Sequence, residues 1–290
     1  MPPTPRHIVP KPRLLFRPNA LLGWSLTPHY GVRVGFRPGE IVQTINSDGW
    51  RTVPGAATAD RPTLAVYGCS FTYGTGLADD ETYTARLQAT FPSLTVLNRG
   101  IGGHGTVQNL LQLRRDIRQG AVNSALFGII SDHRYRNIPH PVRMQAFLSP
   151  QWYRLGVAHV PVVRRDQSGK PRIAYQNLHE PILARGGFNA FLPDDYMVTD
   201  ATLAVLGEVA DLAARHAIPL RFALLDQLDP AFNAAVRARF PDTLDISVPH
   251  DTEHAFLPAN VHPNVRANVL YADRLHDAVQ AMRDQIGGAA

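Results

Sequence analysis

The feature that most constrains the fold of this chain is an alternation of short apolar segments with longer amphipathic ones. The apolar segments are typical of buried strands and occur at Thr63–Gly68, Thr95–Leu97, Ala125–Ile130, Leu220–Leu225 and Leu244–Val248. Helical patterns follow or separate them, at Glu81–Phe91, Val107–Arg118, Asp200–His216, Pro230–Phe240 and Asn264–Ile286. Strands that alternate with helices indicate a parallel sheet covered by helices on both faces.

Two parts of the chain depart from this alternation. The first is residues 1–60, where 1–20 are expected to run extended and Val32–Phe36 with Ile41–Ile45 predict a β-hairpin. We expect this part to be an extension that packs, as an apron, on a core domain at 61–290. The second is an insertion at about 140–195, where Val160–Arg164 and Arg172–Tyr175 predict another β-hairpin. Insertions at the carboxyl edge of a sheet often form the wall of a substrate pocket.

Composition excludes several classes of protein. The 290 residues, 44% of them hydrophobic, are enough for one large core, and the single cysteine allows no internal disulfide. The N-terminus is interrupted by prolines and does not resemble a signal peptide, and no segment approaches the ~18 apolar residues of a membrane span. The net charge is +5, but the arginines are scattered, so nucleic acid is not an expected partner. We therefore expect a cytoplasmic protein.

One apolar segment leads directly into a glycine-rich turn that carries Ser70. Residues 64–76 read LAVYGCSFTYGTG, in which Gly74 and Gly76 allow the backbone to approach a ligand closely. A serine in a strand-to-helix turn lies at the carboxyl edge of the sheet, near backbone amides that can hold an oxyanion. Ser70 is therefore the candidate nucleophile, and the alternative is an ordinary turn serine. Asp79 and Asp80 are the expected N-caps of the helix that follows.

These residues resemble the sequence blocks of the SGNH, or GDSL-like, serine hydrolases. Gly68–Thr72, reading GCSFT, resembles their first block with Cys69 at the Asp position, and we interpret Cys69 as a buried filler. Gly103 resembles the second block, because an asparagine lies five residues before it. Ser131 stands at the Asn position of the third block. His262, which opens the tripeptide HPN, is similar to the histidine of the last block.

The resemblance implies a three-layer αβα sandwich with a mainly parallel sheet of about five strands. It also implies that Ser70 is the nucleophile, that the Ser70 and Gly103 amides bind the oxyanion, and that His262 is the general base. Ser131 would be the third oxyanion donor, although His133 or a residue from elsewhere could take that place. The triad Asp is replaced by Asn260 or by Asp251, or has no counterpart.

Two alternatives concern the histidines near the C-terminus. His254 follows Asp251 with the spacing DxxH, so it competes with His262 for the role of base. Residues 250–254 also spell H-x-x-E-H, an inverted zinc-protease motif, but Pro249 and Pro258 leave little room for a helix. We therefore expect no metal and no organic cofactor.

The resemblance implies hydrolysis of a carboxylic ester through an acyl-enzyme on Ser70, with a small-molecule, glycan or lipid ester as substrate. Two other functions stay open. An acyltransferase would use the same serine with a hydroxylated acceptor instead of water, and a catalytically weak binding protein would keep only the scaffold. The sequence leaves the acyl group, the alcohol and the oligomeric state undetermined.

Overall fold

The computed structural model describes residues 14–56, 61–179 and 195–287. Eleven strands lie in these ranges: β1 (Phe16–Asn19), β2 (Gly23–Leu26), β3 (Tyr30–Arg33), β4 (Val42–Ile45), β5 (Thr63–Gly68), β6 (Thr95–Gly100), β7 (Ser124–Ile129), β8 (His159–Arg165), β9 (Pro171–Asn177), β10 (Leu220–Asp226) and β11 (Leu244–Val248). Nine α-helices lie in the same ranges: α1 (Ser70–Tyr73), α2 (Tyr83–Thr90), α3 (Thr106–Arg118), α4 (His133–Arg136), α5 (Pro141–Ala146), α6 (Pro150–Leu155), α7 (Asp195–Arg215), α8 (Pro230–Arg239) and α9 (Val265–Gly287).

The central sheet has five parallel strands in the order β11-β10-β7-β5-β6. Strand β6, which follows β5 in the chain, lies at one side of the β5–β7 pair. Strand β10, which follows β7, lies at the opposite side. The connections therefore diverge between β5 and β7, and open α/β sheets bind their ligands in the crevice at such a switch point. Ser70, which follows β5, lies at the carboxyl end of that crevice.

Helices cover both faces of the sheet, and the alternation of side chains along β5 shows how. Leu64 and Val66 belong to a core that includes buried residues of α2 and α9. Ala65 and Tyr67 point to the opposite face and belong to a core that includes buried residues of α3, α7 and α8. The predicted three-layer αβα sandwich with a parallel sheet of about five strands is confirmed.

The N-terminal part forms two antiparallel hairpins, β1–β2 and β3–β4. The second confirms the predicted hairpin, with shorter strands. The expectation that 1–20 runs extended lies outside the described residues up to position 13, whereas 16–19 pair as strand β1. Trp24 and Leu26 on β2 are fully buried in a third core that also contains Met144 and Phe147. Because residues 57–60 are not described, the domain division near 60 stays a prediction.

The insertion contains the predicted hairpin, formed by β8 and β9, and two short helices that were not predicted. Pro141 and Pro150 occupy the first turns of α5 and α6, where proline is tolerated because the N–H has no helical partner there. Residues 180–194 of the insertion are outside the described part of the chain. In the described ranges, every helix is too short or too polar to cross a membrane.

The predicted cap of the second helix is wrong. Helix α2 begins at Tyr83, and the Thr82 hydroxyl accepts from the Ala85 N–H at 3.2 Å, which makes Thr82 the N-cap. Residues 79–81 form a separate 3₁₀ turn, and Asp79 instead accepts from the Thr44 N–H at 3.0 Å and from Arg51. The Asp79 carboxylate, which the sequence pattern predicts as a helix cap, is therefore bound by Arg51, a buried residue of the N-terminal part.

Candidate active site

Ser70 lies at a turn in which close packing excludes larger residues. A Cβ atom on Gly68, at the end of β5, would lie 2.0 Å from the Thr72 hydroxyl oxygen, so only glycine fits there. That hydroxyl is held by Tyr83 at 2.9 Å, and Gly74 ends α1 in the left-handed conformation. Ser70 is 9% exposed, and its hydroxyl forms no hydrogen bond with another described residue. As the first residue of a helix, it presents an N–H without an intrahelical acceptor.

The loop after β6 places Gly103 with a free amide. Gly103 has φ +80°, and a Cβ atom on it would lie 3.3 Å from the Trp24 ring. The Gly103 carbonyl accepts from Arg143, while its N–H has no acceptor among the described residues. Asn98 connects this strand to the serine turn, because its side-chain amide donates to the Thr72 carbonyl at 2.7 Å. The Gly103 N–H therefore has no partner within the described residues, and its role as an oxyanion donor stays a prediction.

Ser131 follows β7 at the same edge of the sheet, and its polar groups face β10. Its N–H and its hydroxyl donate to one carboxylate oxygen of Asp226, at 3.0 and 3.2 Å. Burial raises the pKa of Asp226, although the hydrogen bonds from Ser131 act in the opposite direction. The role of Ser131 as an oxyanion donor stays a prediction. Asp226 escaped the sequence reasoning, although it is an acidic residue at the carboxyl end of a predicted strand.

His262 lies beside the serine turn and is held by Asn260. The Asn260 side-chain oxygen accepts from the His262 backbone N–H at 3.1 Å and contacts His262 Nδ1 at 2.6 Å. Because an amide oxygen only accepts, Nδ1 carries the proton and Nε2 is left with a free lone pair. The imidazole packs edge-on against the ring of Phe71, the neighbour of Ser70, with 5.8 Å between centroids. The structure thus brings the first and last blocks together.

The pKa of His262 is lowered to about 4, first by burial, then by Arg136 and by His250. The imidazole is therefore neutral at pH 7 and able to accept a proton. Asn260 supplies no negative charge that would oppose these effects.

The competing histidine has a different partner. His254 Nδ1 contacts the Asp251 carboxylate at 2.8 Å, so the side chain of Asp251 is engaged with His254. The contact at Nδ1 of His262 is made by Asn260. Which of the two histidines is the base, and which residue takes the place of the triad Asp, stay predictions.

The H-x-x-E-H motif does not adopt the geometry of a zinc helix. Residues 251–254 form turns, and His250 Nε2 contacts the Val261 carbonyl at 2.9 Å. Asp251, Glu253 and His254 have potential ligand atoms within 4.8 Å of one another, but both acidic residues are exposed. Such groups of exposed acidic residues are common without a metal ion.

Arg136 on α4 connects three parts of the site, and sequence reasoning missed it. Its guanidinium donates to Asp132 at 2.7 Å and to the His104 carbonyl at 3.0 Å, and Cys69 beside Ser70 influences its pKa. Burial lowers the pKa of Arg136, but Cys69 and Asp132 outweigh burial and the net shift is upward. The i, i+4 spacing of Asp132 and Arg136 was the available sequence signal.

Two buried histidines complete the surroundings. His133, which could have filled the oxyanion hole, is fully buried, and neither of its ring nitrogens has a partner among the described residues. Burial, together with Arg136, His104 and Arg143, lowers the pKa of His133 well below its usual value. The pKa of His104 is lowered to about 3, mainly by burial. Both rings are therefore neutral at pH 7.

No family model and no curated protein matches the sequence. Among solved structures, the chain is similar to the psychrotrophic esterase EstA from Pseudoalteromonas sp., with 11% identity over 76% of this chain and 97% of that one and a TM-score of 0.42. It is similar to a putative acylhydrolase from Bacteroides fragilis, with 12% identity, coverages of 80% and 95% and a TM-score of 0.41. A mutant acetyl-xylooligosaccharide esterase from Geobacillus is 13% identical, with coverages of 76% and 94% and a TM-score of 0.43.

Proposed function

We propose that this protein is an SGNH-type serine hydrolase that cleaves carboxylic esters. The observation that carries the proposal is the placement of His262, whose Nδ1 is held by Asn260 at 2.6 Å and whose ring packs against the neighbour of Ser70. A neutral imidazole fixed in this tautomer beside a turn serine is the arrangement that activates a hydroxyl nucleophile. The free Gly103 amide lies on the adjacent loop of the same sheet edge.

The proposed reaction follows from these positions. His262 Nε2 takes the proton as Ser70 Oγ attacks the ester carbonyl, and the Ser70 and Gly103 N–H groups bind the oxyanion of the tetrahedral intermediate. The intermediate collapses when the protonated imidazole gives its proton to the leaving alcohol. A water molecule, deprotonated by His262, then attacks the acyl-enzyme and releases the acid. No step requires a metal or an organic cofactor.

Asn260 fixes the tautomer of His262 but does not stabilise the imidazolium with a charge. In a serine protease, exchange of the triad Asp for Asn lowers turnover by about 10⁴-fold, although that exchange also leaves the wrong tautomer. Here Nδ1 carries the proton because the Asn260 oxygen accepts from it. We therefore expect measurable but modest turnover.

The test is labelling and turnover of the full-length protein. A fluorophosphonate probe is expected to modify Ser70, and Ser70→Ala is expected to abolish labelling and to lower turnover of p-nitrophenyl butyrate by at least about 10³-fold while the protein remains folded. Ser47→Ala, in an exposed turn, is the matched control and should keep both.

Two outcomes would contradict the proposal. Unchanged turnover in folded Ser70→Ala would exclude Ser70 as nucleophile, and labelling at Cys69 would mean that the neighbouring thiol reacts instead. Stoichiometric labelling at Ser70 without turnover of any ester would favour the binding-protein alternative. Faster product formation when an alcohol is added, with the ester of that alcohol appearing, would favour acyl transfer.

A further inference from the structure

Arg143 on α5 is a cation without an anionic partner at the edge of the candidate active site. Its guanidinium donates to the Gly103 carbonyl and lies over the ring of Phe147, 4.6 Å from the centroid, and over that of Trp24, at 5.3 Å. No carboxylate lies within ion-pair distance of it in residues 14–56, 61–179 and 195–287. One backbone carbonyl occupies only part of the five-donor fork of a guanidinium.

A second cation lies close to it. Burial lowers the pKa of Arg143 to about 9, and Arg136 contributes to the shift as a neighbouring positive charge, whereas the Asp132 carboxylate opposes it from beyond ion-pair distance. The Arg136 guanidinium is largely engaged, since it binds Asp132 and the His104 carbonyl. Asp132 compensates one of the two charges, so one positive charge at this edge is left without a partner in the described part of the chain.

Among the described residues, no carboxylate other than Asp132 is paired with either guanidinium. His104 and His133 are buried and neutral, and the guanidinium groups of Arg136 and Arg143 both help to lower their pKa values. A partly buried guanidinium that lacks an anion is unfavourable, because water is removed without an opposite charge taking its place. An anionic ligand bound at such a position gains the most binding free energy. The planar guanidinium of arginine also matches the arrangement of oxygen atoms in a carboxylate or a phosphate.

Arg143 also lies where a substrate would be. It donates to the carbonyl of Gly103, the residue whose amide is assigned to the oxyanion. A group bound by Arg143 would therefore belong to the same molecule as the ester carbonyl.

We propose that Arg143 binds an anionic group, a carboxylate or a phosphate, carried by the ester substrate. This inference rests on the proposed function, and it narrows the substrate class to esters with a negative charge near the scissile bond. The purely structural alternative is that Arg143 only holds the Gly103 loop, in which case the charge of the ligand would not matter.

The test measures equilibrium binding to full-length Ser70→Ala, so that it does not depend on turnover. Three probes are compared by calorimetry: monomethyl adipate with a carboxylate, butyl phosphate with a phosphate, and neutral methyl hexanoate. At least one anionic probe is expected to bind about 10- to 100-fold more tightly than the neutral ester, the range for a hydrogen bond to a charged group. The tighter of the two anionic probes identifies the group.

Arg143→Gln in the Ser70→Ala background is expected to remove this preference. Arg154→Gln is the matched control, because Arg154 is exposed and its Nε donates only to the Pro150 carbonyl one turn earlier. Arg143→Lys keeps a charge without the fork and is expected to retain part of the preference. If Arg143→Gln does not fold, as judged by circular dichroism, the inference is tested by the preference of the parent protein for anionic probes and by the reduced preference expected of Arg143→Lys.

Equal binding of the three probes, including no detectable binding of any, would overturn the inference, as would an unchanged preference in folded Arg143→Gln. Failure of the proposed function is seen separately, in the labelling and turnover of Ser70. If the protein is an active esterase but binds neutral and anionic probes equally, the proposed function stands and the proposed role of Arg143 is wrong.

Discussion

At the scale of single residues, the partner of His262 determines what kind of base the site contains. Asn260 fixes the proton on Nδ1, yet an amide does not favour the imidazolium as a carboxylate would. Burial, Arg136 and His250 lower the pKa of His262 to about 4. The base is therefore unprotonated over a wide pH range, while the charged form that arises during catalysis is poorly stabilised.

This assignment predicts the effect of restoring the carboxylate. In the wild type, kcat/KM should fall at low pH with an apparent pKa of about 4, because a protonated imidazole cannot accept the serine proton. Asn260→Asp places a negative charge at Nδ1 and should raise this pKa by roughly 1–3 units. Asn260→Ala should instead lower turnover by roughly 10- to 1000-fold, since the tautomer is no longer fixed. An acid limb that is identical in wild type and Asn260→Asp would contradict His262 as the base.

The choice between the two histidines is a separate prediction. His262→Ala should lower kcat by about the same factor as Ser70→Ala, because members of one catalytic unit are not additive. His254→Ala should lower kcat much less, because the imidazole that packs against Phe71, the neighbour of Ser70, is that of His262. Steady-state kinetics of the two variants, with circular dichroism to confirm folding, check this. An inactive His254→Ala beside an active His262→Ala would move the role of base to His254 and Asp251.

At the scale of elements, local patterns predicted the strands and helices of the core but missed those that depend on distant partners. Strands β5, β7 and β10 are mainly apolar segments that bury side chains on both faces of the sheet, a pattern readable in the sequence. Strand β1 and helices α5 and α6 were not predicted, because their burial depends on one another. Trp24, for example, is buried by Phe147 and Trp152, more than 100 residues away in sequence.

One arginine connects the N-terminal part to the serine turn, and its removal tests that connection. Arg51 is 1% exposed and donates to the carbonyls of Tyr73 and Leu77, at 3.2 and 2.8 Å, and to Asp79. Arg51→Met leaves these acceptors unpaired and should lower the free energy of unfolding by about 3–5 kcal/mol, the usual cost of removing one partner of a buried pair.

Urea denaturation of Arg51→Met and of a control measures this effect. Arg33→Met is the matched control, because Arg33 pairs with Glu40 on the surface, and exposed pairs contribute little. Because Tyr73 and Leu77 flank the end of the serine turn, esterase activity should fall with stability in Arg51→Met. Equal midpoints for the two variants would mean that the N-terminal part does not support the turn.

At the scale of the whole molecule, the sequence predicted that three site residues lie at one edge of the sheet, but it did not predict the charged groups around them. Ser70, Gly103 and His262 lie in motifs with fixed positions relative to strands and helices, so topology alone brings them near one another. Arg136 on α4 and Arg143 on α5 follow β7 in short helices, whose positions no comparable rule predicts. Arg136 donates to the His104 carbonyl and Arg143 to the Gly103 carbonyl, and both contacts form only when α4 and α5 lie against the loop after β6.

Through the two buried histidines, burial and the charges of Arg136 and Arg143 also make the free energy of unfolding depend on pH. His104 and His133 are buried and neutral, with pKa values lowered by burial and by Arg136 and Arg143, to about 3 in the case of His104. In the unfolded chain both titrate near 6.5, so below that pH the unfolded state binds more protons and the folded state loses stability. Each histidine should contribute a slope of about 1.4 kcal/mol per pH unit once the pH is well below 6.5, until the folded-state pKa is reached.

Urea denaturation at pH 6.5, 5.75 and 5 measures this slope in a range where few carboxylates titrate. His133→Leu replaces a buried ring whose nitrogens have no partners with an apolar side chain, so it should lower the slope by up to about 1.4 kcal/mol per pH unit and gain stability at pH 5 relative to the wild type. His276→Gln is the matched control, because His276 is exposed, and it should keep the wild-type slope. A slope that is unchanged in folded His133→Leu would mean that His133 accepts a proton in the native state, and hence that the potential of Arg136 and Arg143 is compensated by a group near them.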